Sequence, residues 1–163
     1  VSQINSREIC LLASQIITTS GNGPDIVVPM GWQAATVSIN INTVTGTSPT
    51  WNVFLQKRLR QASATDLVGT DVTGTAIYDD LLAFTTLTTN ATRICNIVTG
   101  ELPGTANATI VTTADYAQSD AALGFGSLRI GPLGPTWRMK WVVAGTTPSG
   151  TVSVTAQLIP WST

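Results

Sequence analysis

The sequence predicts an all-β fold, with antiparallel strands stacked as a two-sheet sandwich, and three observations carry that expectation. Threonine supplies roughly one residue in six, and valine and isoleucine are abundant. These β-branched side chains fit a pleated surface and lose rotamer freedom in a helix. Glycine and proline collect between apolar runs, at Gly21-Asn22-Gly23-Pro24, Gly46-Thr47-Ser48-Pro49, Pro103-Gly104, Gly131-Pro132-Leu133-Gly134-Pro135 and from Gly145 to Gly150. Such clusters mark turns. The runs between them alternate with a period of two, which puts one face in a core and the other outside.

Residues 1–23 open polar, become apolar from Ile9 to Ile17 and end in Gly-Asn-Gly. Two readings stand. The segment is an edge strand of the sandwich formed by residues 24–163, or it is an arm that adds a strand to a neighbouring subunit. Ile9, Leu11, Leu12, Ile16 and Ile17 would be the contact residues of such an arm.

Ala35 to Ile41 alternates strictly and reads as a half-buried strand. Trp137, Met139, Trp141 and Val143 alternate with Arg138 and Lys140, and Val152, Val154, Ala156 and Leu158 alternate with Ser153, Thr155 and Gln157. The segment Gly145–Gly150 between these two strands reads as a hairpin turn. Further strands are expected at Thr50–Arg60, Ala76–Leu87, Thr92–Thr99, Ala108–Thr113 and Gly126–Ile130, and a short helical turn within Ala114–Leu123. The recurring Thr-Gly-Thr triplets read as turn chemistry, not as a duplicated unit.

Composition bounds function. The chain has 163 residues, 43% hydrophobic and 10% charged, with a net charge of −1. An average soluble domain carries about 25% charge. A chain this apolar buries enough surface to order itself, and a surface this poor in charge suits contact with other chains. Nucleic acid is not expected as a partner, since Lys57, Arg58 and Arg60 are the one basic cluster and read as solvated residues at a strand end. No secretory signal pattern is evident, and no apolar run approaches the ~20 residues of a spanning helix, so no membrane partner is expected. Cys10 and Cys95 both lie among apolar residues and are expected as buried free thiols, with a bridge between them as the alternative.

No catalytic machinery is legible, and neither a cofactor nor a metal is expected. The absence of histidine removes the commonest general base and most catalytic zinc sites. Gly124-Phe125-Gly126-Ser127 lacks the spacing of a nucleophile elbow. Asp79 and Asp80 are adjacent, so on a strand they point to opposite faces and cannot flank one bond. Asp66 and Asp71, in a glycine-containing loop, are compatible with calcium but read first as turn formers. Trp137 and Trp141 read as core, whereas Trp32, Trp51 and Trp161 lie beside loops or the terminus and are candidate aromatics for stacking on a glycan.

The segment from Trp51 to Gln56, then Ala83-Phe84-Thr85-Thr86-Leu87, then Pro135 to Val154 resembles small phage structural proteins. In that family an x-V-x-L-Q strand, a Phe-Thr-Thr segment and a closing R-x-x-W-x-V-x-G-T-x-P-S-x-T-x-S-V hairpin recur in a jelly-roll-like sandwich. The resemblance covers about residues 50–156, and its motifs encode strands and a turn. It implies a structural protein on the virion capsid surface, decorating or cementing joints between capsid subunits. A homo-oligomer is expected, a trimer before other symmetries, since trimers suit joints where capsid subunits meet around threefold axes. A major capsid jelly roll or a tail component is the alternative within that class. A carbohydrate-binding module or adhesin domain is the alternative outside it.

Overall fold

A computed structural model describes residues 6–29, 32–98, 109–111, 120–129 and 134–160. Among these the chain is all-β, without a helix. Its strands are β1 (Arg7–Ile17), β2 (Gly21–Asn22), β3 (Ile26–Val27), β4 (Trp32–Arg60), β5 (Ala76–Ala83), β6 (Ala91–Val98), β7 (Thr109–Val111), β8 (Ser127–Arg129) and β9 (Thr136–Pro160). They join in one open sheet that is antiparallel throughout except between β7 and β8.

The organising feature is the ladder between β4 and β9, strands of 29 and 25 residues. The first half of β4 pairs with the second half of β9, from Trp32 opposite Pro160 to Asn42 opposite Thr151. Its second half pairs with the first half of β9, from Thr50 opposite Ala144 to Lys57 opposite Trp137. Flanking strands divide between the halves. β6 lies beside β4 and β1 beside β9 in one run, and β5 lies beside β4 and β2 and β3 beside β9 in the other.

The expected hairpin at Gly145–Gly150 does not form. The strands on either side of it are collinear halves of β9, because residues 144–149 pair across to residues 45–50 instead of folding back. Both strands bend there. Gly46 and Gly145 share a φ of 112°, and Ser48 and Thr147, each just before a proline, have φ of 49° and 47°. Gly46-Thr47-Ser48-Pro49 and Gly145-Thr146-Thr147-Pro148 thus repeat one conformation, and they pack reciprocally. A Cβ on Gly46 would lie 2.8 Å from the carbonyl oxygen of Thr147, and one on Gly145 would lie 2.7 Å from that of Ser48. Backbone approach this close admits only glycine. A local twofold therefore relates the two bends.

Alternation sets the core. Val37, Ile39 and Ile41, Trp51, Val53 and Leu55, Trp137, Met139 and Trp141, and Val152, Val154, Ala156 and Leu158 all join one buried cluster. Burial of each aliphatic side chain stabilises the fold by roughly 1.5–3 kcal/mol. Leu11, Leu12 and Ile17 belong to the same cluster, so residues 7–17 are an edge strand on the chain's own β9. β1 carries two register shifts, between Cys10 and Leu12 and between Leu12 and Gln15, which break the regularity of an exposed edge.

Other expectations shift in detail. β5 stops at Ala83, although Leu87 still bridges to Trp51. The short strands β2 and β3 escaped notice because Gly-Asn and the Ile-Val pair are too brief for a period to show. Residues 114–119 of the expected helical turn lie outside the described residues, and residues 120–123 are not helical.

Candidate functional site

From Val53 to Gln56, β4 is buried on both faces. Trp51, Val53 and Leu55 enter the main core, while Phe54 and Gln56 lie beneath residues 120–126, which cross the outer face of the sheet. That strap is held by Asp80. Its carboxylate accepts the backbone N–H groups of Ala121 at 3.0 Å, Ala122 at 3.0 Å and Leu123 at 2.9 Å, and the Gln56 Nε2 amide at 2.7 Å. Gly126 N–H donates to the Ala83 carbonyl at 2.8 Å, Leu123 packs with Phe54 and Ala83, and the Phe125 ring lies 6.0 Å from that of Phe54.

Asp120 fixes the start of the strap. Its Oδ1 meets Lys140 Nζ at 2.8 Å, Gln56 Nε2 at 3.0 Å and the Arg138 guanidinium at 3.5 Å. Burial pushes its pKa up, but the hydrogen bonds from Lys140 and Gln56 and the charges of Lys140 and Arg138 outweigh it and hold the carboxyl below its ordinary value. Arg138 also donates to Gln56 Oε1 at 2.8 Å and stacks over the Tyr78 ring, 3.2 Å from its centroid. The Tyr78 hydroxyl donates to Asp25, which pairs with Arg58 at 2.8 Å. Partial burial and the Asp25 acceptor push the Tyr78 pKa up.

Strand β5 sends Asp79 and Asp80 to opposite faces, as adjacency on a strand requires. Asp79, 1% exposed, faces Lys57 Nζ and Arg129 Nε, each at 3.8 Å. Asp66 serves its own loop, accepting Ser63 N–H at 2.6 Å, Thr73 N–H at 3.1 Å and the Thr73 hydroxyl. The Thr73 hydroxyl first, then the Ser63 amide, pull its pKa down. Ser127 is buried within β8. These carboxylates are engaged by donors that order strands and loops, which is structural work.

The basic cluster disperses. Lys57 turns to Asp79, Arg58 to Asp25, and Arg60 to the Gly74 carbonyl at 3.0 Å. Of the glycan candidates, two lie among the described residues. Trp51 is 0% exposed and cannot stack on a sugar, because its position puts it on the inward face despite the loop beside it. Trp32 is half-buried against the core, and Trp161 lies outside the described residues. Among the arm candidates Leu11, Leu12 and Ile17 are buried, Ile9 packs against the core, and Ile16 is 70% exposed. Both cysteines are free, but Cys10 is exposed, since β1 directs it outward opposite Thr155.

The other outer face, formed by β1, β9, β4 and β6, has no strap among the described residues. One row across it reads Cys10, Thr155, Ser38, Ile94, and a neighbouring row Gln157, Thr36, Asn96. Ile94 is 65% exposed there. Among the described residues the most exposed large apolar side chain lies elsewhere, Val68 at the tip of the loop from β4 to β5, with Leu67 beside it in solvent. Sequence reasoning missed that tip because an exposed Leu-Val pair looks the same in one dimension as a buried one. Comparison with protein-family models, curated proteins and solved structures finds no match for this chain.

Proposed function

We propose that this chain is a structural protein of a virus particle, a capsid decoration or cement protein of jelly-roll fold, located on the capsid surface. One observation carries the reading. Chemically versatile side chains are spent on holding the strap and loops in place, while large apolar side chains at Ile16, Leu67, Val68, Ile94 and Phe125 face solvent. A body built this way acts by contact.

The jelly-roll part is supported by the strand order. A long antiparallel ribbon, β4 with β9, is bent at its middle so that each half enters a different run of strands, and side chains from both runs share one cluster. Jelly rolls are two packed sheets made by winding such a ribbon over. The low charge and the resemblance of residues 50–156 to small phage structural proteins support the virion part. Its partners are then capsid subunits and further copies of itself, a trimer being the symmetry proposed. A glycan-binding role draws no support from the geometry, since Trp51 is enclosed.

Purified protein added to particles stripped of it tests the proposal. Electron microscopy is expected to show symmetric occupancy at subunit joints, with a gain in thermal resistance of the particle. Protein that stays monomeric and leaves the particles bare overturns it.

A further inference from the structure

The loop of residues 61–75 is ordered at its base and inside. Arg60 pairs with Ala76, Gln61 N–H donates to the Thr75 carbonyl at 3.0 Å, and the Asp66 carboxylate ties Ser63 to Thr73 across the loop. At the tip, Thr70 donates through both its N–H and its hydroxyl to the Leu67 carbonyl, at 3.1 and 2.7 Å, and Gly69 takes a φ of 84°. This frame turns apolar side chains outward. Leu67 is 73% exposed, Val68 106% and Val72 41%. A disordered loop hides such residues transiently, whereas an ordered one displays them permanently, against the tendency of apolar surface to leave water.

Charge narrows what covers the tip. From residue 61 to residue 92 there is no lysine or arginine, and the charged residues beside the tip are Asp66 and Asp71. An anionic bilayer repels such a loop, while a protein surface with cationic groups around an apolar depression attracts it. We propose that Leu67 and Val68 form a preorganised plug that seats in an apolar socket on a capsid subunit, rimmed by Lys or Arg side chains that face Asp71. This rests on the virion reading above and names the contact within it. Preorganisation by Asp66 means that little ordering entropy is lost on docking.

The test uses particles depleted of this protein, with binding isotherms for wild type, L67S/V68S, D66A, D71N and, as a control on the other outer face, I94S. All substituted side chains but that of Asp66 stand free of the core, so unchanged melting of L67S/V68S and D71N verifies an intact fold. L67S/V68S is expected to lose at least about tenfold in affinity, as central apolar anchors do. D66A, which keeps the apolar residues but frees the loop, and D71N are expected to lose less, and I94S nothing. Wild type and L67S/V68S binding alike overturns the plug and leaves the virion reading standing. Wild type that does not bind overturns both. Binding of wild type to anionic phospholipid vesicles, or self-association abolished by L67S/V68S, also overturns the plug by giving the tip another occupant.

Discussion

Replacing Gly145 by alanine tests the bend on which the whole ribbon turns. At a φ of 112° an L-residue is strained, by about 1–3 kcal/mol. The new Cβ also meets backbone, not movable side chain: Ser48 O at 2.7 Å, Pro49 Cα at 2.9 Å and Thr47 O at 3.0 Å. Relieving that overlap means shifting the partner strand, and overpacking of this kind adds about 1–3 kcal/mol. The sum is about 4 kcal/mol. For a chain of this size each kcal/mol lowers Tm by about 2–4 °C, so G145A is expected to melt about 12 °C lower. Gly69 supplies the control. Its φ is also positive, at 84°, but a Cβ there meets nothing within 4 Å, so G69A is expected to lose about 1–2 kcal/mol from strain alone. Urea titrations of the three proteins, read by tryptophan fluorescence, separate the two contributions. The local twofold adds that G46A behaves like G145A, since its Cβ meets Thr147 O at 2.8 Å. G145A and G69A with the same midpoint would refute the reciprocal packing of the two bends.

Removing Asp80 as alanine leaves the amides of Ala121, Ala122 and Leu123 without this acceptor and takes from Gln56 Nε2 one of its two, the other being Asp120. A loss of about 3–5 kcal/mol is expected, with hydrogen exchange accelerating at residues 121–123 before residues 152–158, and unchanged protection at 121–123 would refute the strap. Burial pushes the Cys95 thiol up to about 11, so it stays protonated and covered at neutral pH, whereas Cys10 is exposed. A thiol reagent is expected to label Cys10 in the native protein and Cys95 only after unfolding, and equal labelling would refute the placement of β1 and β6. Because the Asp120 pKa is depressed in the folded chain, its contribution to stability is present above the ordinary value of 3.8 and is lost as pH falls through the folded value. K140M is expected to raise the Asp120 pKa in an NMR titration and to be less stable than wild type at neutral pH, the gap narrowing in acid.

The capsid reading gives these features a common purpose. A protein that clamps a particle must itself resist deformation, and the polar network from Arg58 through Asp25, Tyr78, Arg138 and Gln56 to Asp80 ties the strap, β2–β3 connection and sheet together. Such linked hydrogen bonds in a partly dry setting reinforce one another. The 61–75 loop then remains for contact with the particle.

Much of the candidate site was hidden in the sequence. Adjacency of Asp79 and Asp80 on a strand did show that the two carboxylates point to opposite faces and so draw on separate sets of partners. It did not say that three amides of the chain some 40 residues onward would supply one set and Arg129 and Lys57 the other. Trp51 misled for a related reason. Proximity to a loop along the chain says little about exposure, and Leu87 and Gly150, distant in sequence, close over it.

What the sequence determined by itself is local. Alternation from Ala35 to Ile41, from Trp137 to Val143 and from Val152 to Leu158 fixed which side chains face the core, since a strand's period of two depends only on its own backbone. The partner of each strand, and whether the chain folds back or runs on, was decided only in the tertiary structure. Gly-Thr-Thr-Pro serves a hairpin and a bend equally well on local grounds. It bends here because Gly46-Thr47-Ser48-Pro49, nearly a hundred residues earlier, offers a backbone surface against which its glycine packs.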